Sequence, residues 1–450
     1  MGSTGRVFGC VIASVLMLAG CSTSPGQPTA GPDLVIGVPM SLTGNQSKEG
    51  ALAKQGYDLW ADWLDRRGGI VVQGVRHRLQ LRYVDDQSKA DVSAQVTKQL
   101  ITEQKVRFLL GPYGSSATAA DAAVAEQNHI PFISTNGAAQ AIYSHGYRYV
   151  FGVLSPASKY LQGVLDMAAS MAPKPTTVAV LSADDSFSVE VAKSVIDYSP
   201  RVGMQVVYNK QYPSGSTNLY AQLAEAKQKN PDIVLNSGHL VEAIAINKAA
   251  KDLRLGAKIY AYSVGPATPD FTQALGNDAN FVFSGSQWSA QVKYRPVMYL
   301  SAPDYVQAYQ QKFGAKDEPA YQVADATAGG LALERAIETA NSLDTEKVRD
   351  ALARLDVVTF YGRIKFDEQG LNTFKPMVVQ QIQNGQLTTV WPTEFATAKP
   401  VYPTPTWLAR AGPMADAPSK PPPKVPATGF TPGKRQNASA SVSKTPPDDD

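Results

Sequence analysis

Short apolar runs of strand length alternate with segments whose apolar residues recur at helical spacing. Leu34-Val35-Ile36-Gly37-Val38 is such a run, and a loop containing Gly44 and Gly50 follows it. Leu52, Gly56, Leu59, Trp60, Trp63 and Leu64 then repeat every three or four positions up to Gly68-Gly69, which predicts a helix. The rhythm continues with strands over 79–84, 106–110 and 130–133 and helices over 90–103 and 115–127, the second expected to be capped by its serines. Further strands are predicted over 178–181, 205–208, 233–235, 258–260 and 281–283. Helices are predicted over 159–171, 189–198, 219–229, 241–253, 305–313, 323–340 and 347–355. The stretches 363–366 and 377–383 read as strands joined by turns at Gly370 and Gly385.

Repeated strand–helix units demand a parallel sheet with helices on both faces. About ten units are too many for one compact sheet, so the pattern predicts two lobes, each a doubly wound α/β sheet.

The two ends break the pattern. Arg6 precedes the apolar stretch Val7 to Leu18, whose twelve residues are too few for a membrane helix of ~20. The stretch runs into Leu18-Ala19-Gly20-Cys21, which resembles the lipobox of bacterial lipoprotein signals. That resemblance implies cleavage before Cys21, lipidation of its thiol, and attachment to the extracytoplasmic face of the cell membrane through that lipid. An ordinary secretory signal that happens to contain a cysteine is the plainer alternative. Residues 22–32 are a Ser/Thr/Gly/Pro/Gln tether. Residues 399–450 are proline-rich and end in Asp448-Asp449-Asp450, which predicts a disordered tail with at most a short helix near Trp407.

The chemistry that is missing narrows the function. With 42 Lys+Arg against 39 Asp+Glu, the chain lacks the basic surplus of a nucleic-acid binder. His77, His129, His145 and His239 are scattered, there is no C-x-x-C, and two cysteines cannot make a disulfide scaffold, so no metal is expected. No two glycines are separated by a single residue, which removes G-x-G-x-x-G, and neither G-x-S-x-G nor a phosphate-binding G-x-x-x-x-G-K-[ST] occurs. No cofactor is expected. The carboxylate pairs Asp85-Asp86 and Asp184-Asp185 read as solvated turns, although a glycosidase-like pair stays open on sequence alone. The loops expected at the carboxyl ends of the strands are rich in hydroxyls, amides and aromatics. That suits a binding cleft rather than catalysis.

At these loops the sequence resembles the periplasmic binding proteins of the branched-chain amino acid type, the receptors of ABC importers. The resemblance runs from about Val35 to about Trp391. Its markers include Ile36-Gly37-Val38-Pro39-Met40-Ser41-Leu42-Thr43-Gly44, Arg67-Gly68-Gly69-Ile70, Tyr83-Val84-Asp85-Asp86-Gln87-Ser88 and Leu110-Gly111-Pro112-Tyr113-Gly114-Ser115-Ser116. Ile130-Pro131-Phe132-Ile133-Ser134, Tyr147-Arg148-Tyr149-Val150-Phe151-Gly152, Asn230-Pro231-Asp232-Ile233-Val234 and Gly362 to Gly370 complete them.

The resemblance implies two lobes joined by three crossovers near Val153, Ser284 and Phe360, closing on a small ligand. Residues 1–20 would be the lipoprotein signal and 21–33 the tether. Residues 34–153 and 284–359 would form the first lobe, 154–283 and 360–398 the second, and 399–450 the tail. It also implies ligand contacts at Tyr113, Ser115 and Ser116, where hydroxyls and N–H groups at a helix start suit a carboxylate. Plain N-capping accounts equally for either serine. Asn136, Gly137 and Ala138 align with the next contact loop, and Phe187 and His239 with aromatics of the second lobe. His239 also reads as a residue that satisfies a helix start. The chain departs from the pattern in two places. Glu49 stands where the first loop usually has an aromatic residue, and no acid stands near Ser263-Val264, where the α-ammonium is usually held. Either Glu49, Asp184 or Asp185 takes that role, or the ligand is not an α-amino acid. The expected function is a lipid-anchored solute receptor, not an enzyme, that hands a small-molecule ligand to an ABC importer permease. The alternatives are a ligand-sensing lipoprotein and, further off, a surface hydrolase.

Overall fold

The computed structural model describes Met1, Gly2 and residues 27–410. The first lobe begins with β1 (Thr29–Ala30), β2 (Leu34–Met40) and α1 (Ser47–Arg66). β3 (Ile70–Val72), β4 (Val75–His77), β5 (Leu79–Asp85) and α2 (Ala90–Thr102) follow. β6 (Leu109–Leu110), α3 (Ser115–Gln127), β7 (Phe132–Ser134) and β8 (Val150–Gly152) complete its first pass. Five strands form a parallel sheet in the order β5-β2-β6-β7-β8, while β1, β4 and β3 make a small separate sheet. β2 is covered on both faces, which is why it reads as a continuous apolar run.

After Gly152 the chain enters the second lobe. There α4 (Gln162–Ala169), β9 (Thr177–Ala183), α5 (Ser186–Tyr198), β10 (Gln205–Tyr212) and α6 (Tyr220–Gln228) lead to β11 (Ile233–Ser237). α7 (Leu240–Asp252), β12 (Ile259–Tyr262), α8 (Pro269–Leu275) and β13 (Phe283–Ser286) follow. α9 (Ala302–Phe313), α10 (Tyr321–Ala340) and α11 (Thr345–Ala353) come next, and α10 packs along α1 of the first lobe. The contact is close because Gly56 has no side chain: a Cβ there would lie 2.1 Å from the Val323 carbonyl oxygen. The hairpin β14 (Asp356–Thr359) and β15 (Gly362–Lys365) precedes β16 (Val378–Gln383) and β17 (Gln386–Trp391), which join the second sheet. That sheet has the order β10-β9-β11-β12-β13-β16-β17, parallel up to β13 and antiparallel beyond it. The chain therefore passes between the sheets three times, and the fold is the type I periplasmic binding protein fold.

Each lobe's parallel strands follow one winding. Taken in chain order they stand second, first, third, fourth, fifth, so the connections reverse direction beside the first strand. Ligands in such sheets bind beyond the carboxyl ends of the strands at that reversal. In the first lobe it lies between β2 and β6, and in the second between β9 and β11.

Sequence and structure differ at several points, β8 and β14 among the strands not predicted. The β3–β4 hairpin, α8 and β17 carry too few residues, or too mixed a pattern, to show in the alternation. The serines do not cap α3: its N-cap is Gly114 at φ 91°, a conformation that favours glycine, and Ser115 is the first helical residue. Disorder was expected from Lys399, yet the chain packs as far as Arg410, ending in α12 (Trp407–Arg410). Trp407 is buried, donates its indole N–H to the Leu255 carbonyl at 2.9 Å, and carries the Arg410 guanidinium 3.7 Å over its ring. Proline content hid this because one aromatic anchor offsets the entropy of a short strap. Cys21, the signal segment and the tail beyond Arg410 lie outside the described residues.

Candidate functional site

The two reversal points face each other across the gap between the lobes. From the first lobe come the start of α1 after β2 and the turn from β6 into α3. From the second come the turn from β9 into α5 and the turn from β11 into α7. They enclose a cavity of about 10 Å³, room for about one water. Its walls are Tyr113, Gly114, Ser115, Asn136, Ala138 and Leu154, with Tyr160, Phe187, His239, Val264 and Tyr321. Tyr160 meets the Phe187 ring edge-on at 4.9 Å between centroids, and Phe187 lies 5.6 Å from the His239 ring.

Local folding places each polar group. The Ser115 hydroxyl oxygen accepts from the N–H groups of Ala138 and Ala139, both at 3.1 Å, which holds the 136–139 turn against α3. Its own proton is left to donate. The first intrahelical bond runs from Thr118 N–H to the Gly114 carbonyl, so the N–H groups of the first turn precede the helical ladder. Asn136 donates to Thr135 and leaves its side-chain oxygen buried without a partner.

His239 is the N-cap of α7, and its backbone N–H donates to Glu242 at 3.0 Å. Its ring does more. Nδ1 lies 3.0 Å from the Tyr113 hydroxyl, tying the lobes together, and Nε2 lies 3.4 Å from Asp185 Oδ1, an ion-pair distance without hydrogen-bond alignment. Burial opposes charge on the ring, but Asp185, Glu242 and Glu49 outweigh it and lift the pKa to about 9. Burial likewise opposes charge on Asp185. His239 and the Ser188 hydroxyl and N–H, which Asp185 accepts as the cap of α5, outweigh it and hold the carboxyl at about 2.

Glu49 also crosses the gap. One oxygen accepts from Leu240 N–H at the start of α7 at 3.0 Å, and the other has no partner. Burial raises its pKa, opposed by His239 and the Leu240 N–H. Further cross-lobe contacts are Lys48–Asp270 at 2.9 Å, Ser116–Ser186 at 3.3 Å and the Gln140 N–H to Glu190 at 2.8 Å.

Of the residues singled out in the sequence, Tyr113, Ser115, Asn136, Ala138, Phe187 and His239 come together on the wall. Ser116 sits at the exposed rim. Gly137 turns away: a Cβ there would meet the Thr118 side chain at 2.5 Å. Glu49 is committed to α7 rather than to the wall. Tyr160, Leu154, Val264 and Tyr321 were missed. The first two follow the crossover near Val153, and Tyr321 opens α10, so the signal was their place beside the crossings.

Behind the cavity the crossing segments meet. The Gln287 side chain bonds both backbone groups of Ser155 at 2.9 Å, and the Ser155 hydroxyl donates to the Lys375 carbonyl at 2.8 Å. Lys375 is buried, donates to the Gln287 side-chain oxygen at 3.1 Å and lies 4.5 Å over the Tyr361 ring. Burial lowers its pKa to about 7, with Asp325 opposing. Burial raises Asp325 well above the carboxylate range, and both its oxygens lack hydrogen-bond partners. Among the described residues, no cluster of His, Cys, Asp or Glu could hold a metal, and no helix is long and apolar enough to cross a membrane.

Known proteins share this architecture. A Leu/Ile/Val-binding protein homolog of Brucella abortus is 23% identical over 387 residues, covering 82% of this chain and 92% of that protein. The branched-chain amino acid transporter substrate-binding protein LivJ of Streptococcus pneumoniae, solved with isoleucine, is 23% identical. It covers 82% of this chain and 100% of its own, with a TM-score of 0.69. An ABC transporter solute-binding protein of R. palustris, solved with benzoate, is 16% identical, covers 79% of this chain and 95% of its own, and has a TM-score of 0.68. The periplasmic binding protein family matches residues 33–386, most of the chain, and the chain belongs to that family.

Proposed function

We propose that the chain is a lipid-anchored receptor on the extracytoplasmic face of the membrane. It captures a small polar ligand, an amino acid or a related amide or carboxylate, by closure of the lobes and delivers it to an ABC importer permease. The observation that carries this reading is the cavity at the paired reversal points, whose wall takes residues from both lobes, so that a ligand there favours the closed arrangement. The names of the relatives, Leu/Ile/Val-binding proteins and an ABC transporter solute-binding protein, support the same role. The hydroxyl–imidazole contact on the wall, Tyr113 with His239, has its ring held in the charged form by Asp185, Glu242 and Glu49 and so unable to accept a proton as a base, which supports binding rather than catalysis. Lipid anchorage rests on Leu18-Ala19-Gly20-Cys21.

Mass spectrometry of small molecules released on denaturing the purified protein tests the reading. We expect one low-molecular-mass solute in near-stoichiometric amount, and a Tyr113→Ala variant that retains much less of it. A protein that carries no solute and binds none from a metabolite library would sink the proposal. For the anchor, Cys21→Ala should shift the protein from the detergent phase to the aqueous phase.

A further inference from the structure

A second and much larger cavity opens between the lobes. Its volume is about 530 Å³, against about 10 Å³ at the reversal points. That lies within the ~300–1,000 Å³ typical of sites that hold small solutes. Tyr321 is the one residue that lines both cavities, and the turns into α3, α5 and α7 contribute nothing to the larger. The second lobe supplies the start of α8, Trp288, Ser289 and the β16–β17 hairpin. The first lobe supplies α9 and the stretch 316–321 that leads into α10. An occupant that touches both sides favours the closed arrangement.

Two buried side chains on its wall have hydrogen-bonding capacity to spare. Gln380 is 5% exposed, and its side-chain amide has no partner among the described residues. Gln381, on the opposite face of β16, spends its amide N–H on the carbonyls of Phe281 and Val401, at 3.3 and 3.1 Å. Ser289 is 2% exposed and accepts from the Thr389 hydroxyl at 2.9 Å and the Gln291 N–H at 3.2 Å. Its own proton is left to donate. A carboxamide shows a donor and an acceptor side by side, so its complement is a second carboxamide. Around these groups lie Trp288, Ala267, Val306 and Leu387, which suit short apolar side groups. The charged lining residues, Lys316, Asp317 and Glu318, are all exposed. A carboxylate or ammonium drawn inside would lose water without gaining a buried counter-ion, which is costly.

We propose that this cavity is a second solute site, separate from the one at the reversal points, for a neutral amide-bearing chain about the size of a capped dipeptide. A terminal carboxamide pairs with Gln380, its oxygen also accepts from Ser289, and the short side groups lie against Trp288 and its apolar neighbours.

Calorimetric titration of the purified wild-type protein with N-acetyl-alanyl-alaninamide tests it. The controls are the same peptide ending in a free carboxylate and the same peptide beginning with a free amine. The neutral form should bind at least about tenfold more tightly than either charged form. Gln380→Leu keeps the bulk, removes the amide and should weaken binding by about tenfold. If that sheet variant fails to fold, Gln273→Trp decides: it lies at an exposed position of α8 on the cavity, and its added bulk should weaken binding as much. Charged forms that bind as tightly as the neutral one would overturn the proposal. So would absence of binding at millimolar concentration, or undiminished affinity in the deciding variant, which would put the peptide elsewhere. Each of these outcomes leaves the receptor reading standing, because that reading is tested by the solute released on denaturation.

Discussion

The cleft and the hinge each bury one cationic side chain, and the two have opposite fates. His239 lies where the lobes meet and must part, and Lys375 lies where the crossing segments pass and can only rotate. Both are nearly inaccessible to water, and burial alone would strip the proton from either. His239 has Asp185, Glu242 and Glu49 around it, and its pKa rises to about 9. Lys375 has carbonyl oxygens and an aromatic face, with Asp325 as its carboxyl neighbour, and its pKa falls to about 7. Counter-charge, not burial, decides the outcome. The lesson is that the cleft is closed by an ionic cluster, whereas the hinge is held by neutral dipoles.

The largest expected effect tests the cleft. Removing one member of a buried ion pair leaves the other uncompensated, so His239→Gln should lower stability by about 3–5 kcal/mol at pH 6. Urea unfolding would measure it, and a loss under about 1 kcal/mol would show that Asp185 does not depend on the imidazolium. The pH dependence follows from the raised pKa. The folded protein holds the His239 proton more tightly than the unfolded chain, so this contribution is complete below about 6.5 and fades as pH rises towards 9. The difference between wild type and His239→Gln should shrink across that window. The Asp185 contribution runs the other way: it is complete above about 3.8 and lost as pH falls towards 2.

Lys375→Met tests the hinge, with a smaller effect of opposite sign. A lysine whose folded pKa is depressed costs stability below about pH 7, and that cost disappears as pH rises towards 10.5, where the unfolded chain also loses its proton. Methionine keeps the length and drops the charge. The variant should therefore be as stable as wild type or up to about 2 kcal/mol more stable at pH 6, with the advantage gone at pH 10. In the wild type the two slopes oppose each other between pH 7 and 9, so only variant-minus-wild-type curves separate them.

Glu49→Gln sharpens the electrostatic account. Glutamine keeps an acceptor for Leu240 N–H, so stability should move by no more than about 1 kcal/mol. One carboxylate is removed from the neighbourhood of His239, however, and the imidazole pKa, followed by NMR, should fall from about 9 towards 6.5. An unmoved titration would leave Asp185 and Glu242 as the only groups that matter.

What the sequence disclosed follows from what each feature depends on. Strand and helix alternation is local, so two doubly wound lobes and the loops at the carboxyl ends of their strands were readable, whereas Tyr113, Ser115, Asn136, Phe187 and His239 were singled out by the family resemblance. Long-range pairing left fainter marks. β17 joins the sheet by pairing with β16, and Trp407 is anchored by Leu255 and Tyr260. The roles of Glu49 and Ser116 turned on which way each side chain points once the lobes close. Tyr321 enters the cavity only because α10 returns from the second lobe to pack on α1.

The smallest prediction separates neighbours on one helix. Lys48 and Glu49 both begin α1, and both reach across to the second lobe. Lys48 pairs with Asp270 at 2.9 Å, but its side chain is 66% exposed, so water and salt screen the pair and ordering a long side chain offsets much of the gain. Lys48→Ala should change stability by less than about 0.5 kcal/mol, and the change should vanish in high salt. The Glu49→Gln effect on His239 should persist at the same ionic strength, because both groups are shielded from solvent. If Lys48→Ala proved as consequential as His239→Gln, closure would be governed at the rim, and the ionic cluster inside the cleft would be a passenger.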